Sequence, residues 1–330
     1  MRIVLLSFCL LSCGVFQKKD NKPQTTIQPI QVLRSKANIY KLLTSDLEDE
    51  NGVLPHFKCD SLLFQSLYEL STDGDLDISI YEGDPGQWFR SQSHDCFYRD
   101  EVGEPVRNGS KTTISRDMFL GLFTYLWVNR DLDKLKSILT FGRNAEPRFF
   151  MGDGVNFLER ETRTHLRPSI RGTLFHMIAA LGGEDDARKN VPYLPSAVAN
   201  GYQLHLMVTH TLLRGLVLEG ISDKELSVLK KASDKQPNNA YYSAVYHLFE
   251  DGDQSRAIQI LLDESLFPAD RLPSGQDRCS DYIFQRDDDR ADEDPEKDDW
   301  KPCLDGSNER HPAVDFLWTV WVIENQQNVR

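Results

Sequence analysis

The run MFLGLFTYLWV, residues 118–128, constrains the fold more than any other part of this chain. It is apolar around its whole circumference when drawn as a helix, so a helix formed by it must be buried on all sides. It is also too short to cross a bilayer, which takes about 20 apolar residues. A turn at residues 129–131 follows it, and residues 132–139 then carry apolar side chains on one side only. A fully buried helix therefore precedes a half-buried one.

The same pairing recurs more weakly along the rest of the chain. Helical periodicity dominates from Val32 onward, and the glycines at 182–183 and 220 mark the ends of two further helices. The last helix is predicted at residues 314–324, whereas strand signals are few and strongest at residues 78–81. We therefore predict an all-α fold of helical hairpins in which inner and outer helices alternate, with long loops bracketed by disulfides.

The composition limits which classes of protein and of binding partner are expected. The chain has 330 residues, 40% of them hydrophobic, which is enough to bury a sizeable core. Its formal net charge is −13, and it shows no basic stripe with interleaved aromatic residues. An acidic surface repels nucleic-acid backbones, so nucleic acid is not an expected partner.

The N-terminus has the features of an export signal. Residues 3–11 are mostly apolar, follow a basic residue and end in Leu10-Leu11-Ser12-Cys13. This run resembles the lipobox of bacterial lipoprotein precursors. The resemblance implies cleavage before Cys13, acylation of Cys13 with palmitate and other acyl chains, and attachment to a lipid bilayer. Gly14 in the next position implies an outer-membrane anchor, with the domain facing the periplasm or the cell surface.

Two other interpretations of this N-terminus are an ordinary secretory signal and a cytosolic protein with an apolar start. On the lipoprotein interpretation the chain divides into a signal peptide at residues 1–12, a polar tether at residues 13–31 and a single helical domain at residues 32–330. The tether assignment rests on residues 18–26, which are polar and contain no aromatic side chain.

The cysteines fit an oxidising compartment. Of the six in the chain, Cys9 lies in the signal and Cys13 would carry lipid, which leaves four: Cys59, Cys96, Cys279 and Cys303. An even number in an exported protein predicts disulfides. Three connectivities are possible, and closeness in sequence favours Cys59–Cys96 and Cys279–Cys303. Because no Cys-x-x-Cys spacing is present, we predict no metal site, and no cofactor is expected.

Two carboxylates are candidates for catalysis. Asp117 lies where a polar loop enters the buried helix, and Asp153 lies between two glycines that favour a tight, exposed turn. Glycoside hydrolysis needs two carboxyl groups that face one another across the bond, so Asp117 and Asp153 are the predicted pair. The simpler interpretations are a helix-capping residue for Asp117 and a plain turn for Asp153.

Four further polar residues are candidates for ligand binding. They share positions near helix starts or in loops beside apolar runs, and they are Arg116, Arg171, His205 and Arg278. Any of them could point into a cavity. A lone histidine is more often a structural residue than a catalytic one, so His205 also has a simple interpretation as part of the core.

The layout of residues 115–323 resembles that of the α/α-toroid proteins that act on polysaccharides. The resemblance rests on the helix pattern and implies a concave pocket lined by the N-terminal ends of inner helices. Two functions stay open. One is an envelope lipoprotein whose polar pocket binds glycans or processes them as a hydrolase or lyase. The other is a non-enzymatic scaffold whose partner is an envelope protein.

Overall fold

The computed structural model describes residues 28–54, 61–89, 98–99, 105–106, 114, 116–144, 168–183, 201–273 and 312–325. These residues form an all-α fold, as predicted. They contain ten α-helices, one 3₁₀ helix and one pair of two-residue antiparallel strands. None of these helices is both long enough and apolar enough to span a bilayer.

The helices are numbered in chain order. They are α1 (Pro29–Ser45), α2 (Ser61–Thr72), α3 (Arg116–Val128), α4 (Leu132–Asn144), α5 (Pro168–Ala180), α6 (Gly201–Leu218), α7 (Asp223–Lys235), α8 (Ala240–Phe249), α9 (Ser255–Leu261) and α10 (Val314–Glu324). The 3₁₀ helix is Ile78–Tyr81, and the strands are β1 (Tyr98–Arg99) and β2 (Pro105–Val106).

Five of these helices form the centre of the described fold. Helices α2, α3, α6, α8 and α10 each contain a long run of consecutive buried residues. Their contacts close a cycle, because α2 packs on α3, α3 on α6, α6 on α8, α8 on α10 and α10 on α2. The cycle brings together helices that are far apart in the sequence.

The other helices flank this cycle. Helix α1 packs on α10, α4 on α3, α7 on α6 and α8, and α9 on α8 and α1, while α5 lies against α4 and α6. Helices α1, α4 and α7 bury one side only. A buried helix is followed by a half-buried one at α3–α4 and α6–α7, whereas α2 and α3 are both buried and pack directly against each other.

The two ends of the described chain meet at α1 and α10, which run antiparallel. The Arg34 Nε donates to Glu324 Oε1 at 2.6 Å near one end of the pair. The Ala313 backbone N–H donates to Thr44 Oγ1 at 3.2 Å near the other end. Between them, the Tyr40 and Phe316 ring centroids lie 4.4 Å apart.

The crossing of α2 and α3 depends on a glycine. A Cβ atom at Gly121 would lie 2.6 Å from Leu63 Cδ1 and 3.2 Å from the Leu63 Cα atom. Only a residue without a side chain lets the two backbones approach this closely. This glycine interrupts the apolar run that predicted a buried helix, and it lies at the contact that buries it.

One prediction of local structure is wrong. Residues 78–81 were expected to form a strand, but they form a 3₁₀ helix. The Asp77 carboxylate explains the difference, because it accepts hydrogen bonds from the Ser79 backbone N–H at 2.9 Å and from the Ser79 hydroxyl at 2.6 Å. Helix α1 also begins at Pro29, a few residues before the expected start of the domain.

Candidate functional site

Asp117 lies in the first turn of α3, as its sequence position predicts. Its side chain is buried, with 2% of its surface exposed. A carboxylate in the first turn is favoured by the positive end of the helix dipole. The residue is therefore part of the buried helix start, and it does not lie on an open surface of the described residues.

The candidate binding residues occupy separate helices. Arg116 is the first residue of α3, and the structure describes its backbone but not its side chain. Arg171 lies in α5 and is half-buried. His205 lies in α6 and is completely buried, which matches its simple interpretation as a core residue.

The remaining predicted site residues lie outside the described residues. They are Cys13, Cys59, Cys96, Asp153, Arg278, Cys279 and Cys303. The separation of the Asp117 and Asp153 carboxyl groups, the acylation of Cys13 and the two disulfides therefore stay predictions.

A buried polar layer, which the sequence analysis missed, joins α5, α6 and α8. His210 Nε2 lies 2.9 Å from Thr173 Oγ1, and the Tyr241 hydroxyl donates to Thr209 Oγ1 at 3.3 Å. All four residues are buried. We define this set, Thr173, Thr209, His210 and Tyr241, as the polar layer. It satisfies polar groups that would otherwise be costly to bury.

The polar layer is uncharged at neutral pH. Burial lowers the pKa of His210 to about 3, and the nearby Arg214 guanidinium adds to the effect. Burial also raises the pKa of Tyr241 to about 12. A proton-transfer group works best when its pKa lies near the operating pH. The layer is therefore better suited to a structural role than to acid–base chemistry. In that role it fixes the register of α5, α6 and α8.

A second buried polar contact holds α6 to the start of α7. Arg214 Nε donates to Glu225 Oε1 at 3.0 Å, and Glu225 Oε2 accepts from the Ser222 backbone N–H at 2.9 Å and its hydroxyl at 2.7 Å. Burial alone would raise the pKa of Glu225. The hydrogen bonds from Ser222 and the charge of Arg214 outweigh burial and hold that pKa below its usual value.

Potential metal ligands converge at one place within the described residues. His247, Glu250 and Asp251 each offer a ligand atom, and these atoms lie within 4.8 Å of one another at the C-terminal end of α8. Cysteine spacing in the sequence did not indicate this group. Its i, i+3 and i+4 spacing on a helix end was the available signal.

An exposed apolar row runs along α1. Val32, Ile39 and Leu42 have 43%, 42% and 67% of their surface exposed, and their spacing places them on one side of the helix. The opposite side holds Leu33 and Tyr40, which are completely buried. We call Val32, Ile39 and Leu42 the α1 row. Scattered exposed apolar residues are normal, but three large ones on the same side of one helix form a candidate contact surface.

Comparison with models of protein families, with curated proteins and with solved structures finds no match to this chain.

Proposed function

We propose that this chain is a lipid-anchored envelope protein whose helical domain binds a partner protein and does not catalyse a reaction. The observation that carries the proposal is the contrast between Asp117 and the α1 row. The leading catalytic candidate is buried in a helix start, while three large apolar side chains are exposed on one side of α1. Of the two functions that the sequence left open, this contrast favours the scaffold.

The burial of Asp117 weighs against glycoside hydrolysis. That reaction requires a pair of carboxyl groups, roughly 5–10 Å apart, that reach a sugar from both sides. Asp117 has 2% of its surface exposed, which leaves little access for a polymer substrate. His210 and Tyr241 do not replace it, since both are buried and burial moves the pKa of each further from neutral pH.

Helix α1, which carries the α1 row, is tied to the rest of the fold by side-chain contacts, which suits a docking surface. Lys36 Nζ donates to Glu264 Oε1 at 3.1 Å, and Arg34 pairs with Glu324 on α10. The Tyr40 hydroxyl donates to the Pro268 carbonyl at 2.7 Å. A surface that is already ordered loses little conformational entropy when a partner binds. An apolar row on a fixed helix fits the apolar groove or second amphipathic helix of a partner protein.

The proposed anchor would keep α1 close to the membrane. Residues 14–28 separate Cys13 from α1, and a segment of that length spans at most about 50 Å when fully extended. The α1 row would then lie within reach of partners that belong to the same membrane. The lipobox resemblance at residues 10–13 is the support for this anchor.

A photo-crosslinking amino acid at position 42 tests the proposal in cells. We expect it to form a discrete covalent adduct with one envelope protein. The matched control replaces Leu218, an exposed leucine at the end of α6, and should give no such adduct. Adducts with lipid alone, or equal adducts from both positions, would show that the α1 row is not a protein-binding surface.

The anchor is tested separately in the same cells. Cys13→Ser should move the protein out of the membrane fraction and remove its label when cells are fed a labelled fatty acid. If the variant stays in the membrane with its label, the anchor proposal is wrong. The crosslinking result at position 42 is then still interpretable, because it does not depend on how the chain reaches the membrane.

A second candidate function, glycan binding in an α/α-toroid, has one supporting observation. The contacts of α2, α3, α6, α8 and α10 close a cycle, and most of the other helices pack against its members. Such a cycle is the arrangement that a toroid requires. The chain's retention on immobilised envelope glycans, and the loss of that retention in Arg171→Ala, would favour this function over the scaffold.

A further inference from the structure

Three potential metal ligands meet where α8 ends. His247 lies in the last turn of the helix, and Glu250 and Asp251 follow directly after it. The distance from His247 Nδ1 to Glu250 Oε2 is 3.5 Å, and the distance from the same nitrogen to Asp251 Oδ1 is 3.1 Å. One imidazole nitrogen therefore faces two carboxylates at the same time.

These separations suit a first-row divalent cation. Zinc bonds to histidine nitrogen and carboxylate oxygen are about 2.0–2.2 Å long, so neighbouring ligand atoms in a tetrahedral site lie roughly 3.3–3.5 Å apart. The two measured separations lie close to that range. A mixed set of imidazole and carboxylate donors favours Zn²⁺ and similar metals over Ca²⁺ or Mg²⁺, which prefer oxygen alone.

The two carboxylates have no Lys or Arg partner among the residues that the structure describes. Their ion pairs there are with His247, which can supply at most one positive charge. The negative end of the α8 dipole lies at the same place and also favours a cation. A divalent ion would therefore neutralise the excess negative charge that the single imidazole leaves.

A neighbouring group orients one of the ligands. Asp251 Oδ1 also accepts from the Asp253 backbone N–H at 2.9 Å. Such an outer contact holds a metal ligand in position in known sites. The exposed fractions are 19% for the His247 side chain, 39% for Glu250 and 52% for Asp251, so an ion and its remaining waters have access from solvent.

We propose that His247, Glu250 and Asp251 bind Zn²⁺ or another first-row divalent cation, with water completing the coordination. The ion ties the last turn of α8 to the turn that leads into α9. The site is separate from the α1 row and does not rest on the proposed scaffold function.

Zinc titration of the full chain, with no affinity tag and after treatment with a chelator, tests the site. Binding is measured by competition with a chromophoric chelator, and Co²⁺ is used in a parallel titration to report coordination by its visible absorption. We expect saturable binding at this site, and at least about a tenfold loss of affinity in His247→Ala. Asp251→Asn should weaken binding similarly, because it removes the charge and keeps an oxygen that can accept from Asp253.

The matched control is Asp234→Asn, which changes an exposed helical aspartate paired with Lys230 at 2.6 Å. It should leave the affinity unchanged. Asp251 lies at the surface, so its variant keeps the test valid if His247→Ala fails to fold. The proposal is overturned if the wild-type chain binds no Zn²⁺ at about 100 µM, or if both site variants bind it as tightly as the wild type does.

Discussion

At the scale of single residues, the contribution of a buried polar group to stability depends on whether it has a hydrogen-bond or ion-pair partner. Glu225 shows the balance, because burial raises its pKa while Ser222 and Arg214 lower it further than burial raises it. Ser222 is the N-cap of α7, and it forms a capping box with Glu225. The partner Arg214 comes from the preceding helix, and no local pattern points to that contact.

Glu225→Gln should make the dependence of stability on pH visible. A folded pKa below the usual value means that ionised Glu225 stabilises the fold above the unfolded pKa of about 4.3, and that this contribution is lost as pH falls through the folded pKa. We expect a loss of about 1.5–3 kcal/mol in the free energy of unfolding at pH 7, which shrinks towards zero in acid. Urea unfolding at a series of pH values from 7 to 3 measures the loss at neutral pH and its decrease in acid.

The control for Glu225 is the exposed pair of Lys230 and Asp234, whose side chains are 56% and 57% exposed. Asp234→Asn should cause no resolvable change at either pH, since exposed ion pairs contribute little. If Glu225→Gln lowered the free energy of unfolding by the same amount at every pH, the charge of Glu225 would not stabilise the fold.

At the scale of elements, the sequence predicted most helices and failed where one side chain overrode the pattern. Glycines at 182 and 220 end α5 and α6 as expected, and both have positive φ angles. Residues 78–81 alternate in a way that is typical of a strand. The Asp77 side chain satisfies the Ser79 backbone N–H instead, and Ile78 and Tyr81 are buried at a spacing of three residues.

Removing that cap should loosen the 3₁₀ helix. Asp77→Ala deletes the acceptor and should cost about 1 kcal/mol in the free energy of unfolding, as the loss of a helix cap does. Asp77→Asn keeps an acceptor oxygen and should retain most of that stability. Chemical denaturation of both variants measures the difference. Equal losses in the two variants would show that the charge of Asp77, and not its hydrogen bonds, holds this segment.

At the scale of the whole molecule, the sequence predicted the helix class but not which helices meet. The sequence marked residues 118–128 as a helix buried on all sides and residues 314–324 as the last helix, and most side chains of both are buried. The cycle that contains α3 and α10 joins segments from the two ends of the chain. Pairings over such distances, like that of Thr173 with His210, leave no mark in local periodicity. The three candidate metal ligands lie close together in the sequence, but their convergence depends on how α8 ends.

The closed cycle predicts that α10 is needed for the whole domain to fold. Its residues from Val314 to Val320 are buried without a break, and it contacts α1, α2 and α8. Truncation after residue 311 would expose the buried faces of those three helices, where each large apolar side chain contributes about 1.5–3 kcal/mol. A typical domain has a net stability of only about 5–15 kcal/mol, so this loss exceeds what the fold can tolerate.

We expect the truncated chain to show no cooperative thermal transition when unfolding is monitored by circular dichroism. We also expect protease to digest it rapidly. Truncation after residue 325 keeps the described contacts of α10 and should melt as the full chain does. A cooperative transition in the shorter chain would mean that α1 and α2 are held by the remaining helices alone, and that closure by α10 is not what stabilises the fold.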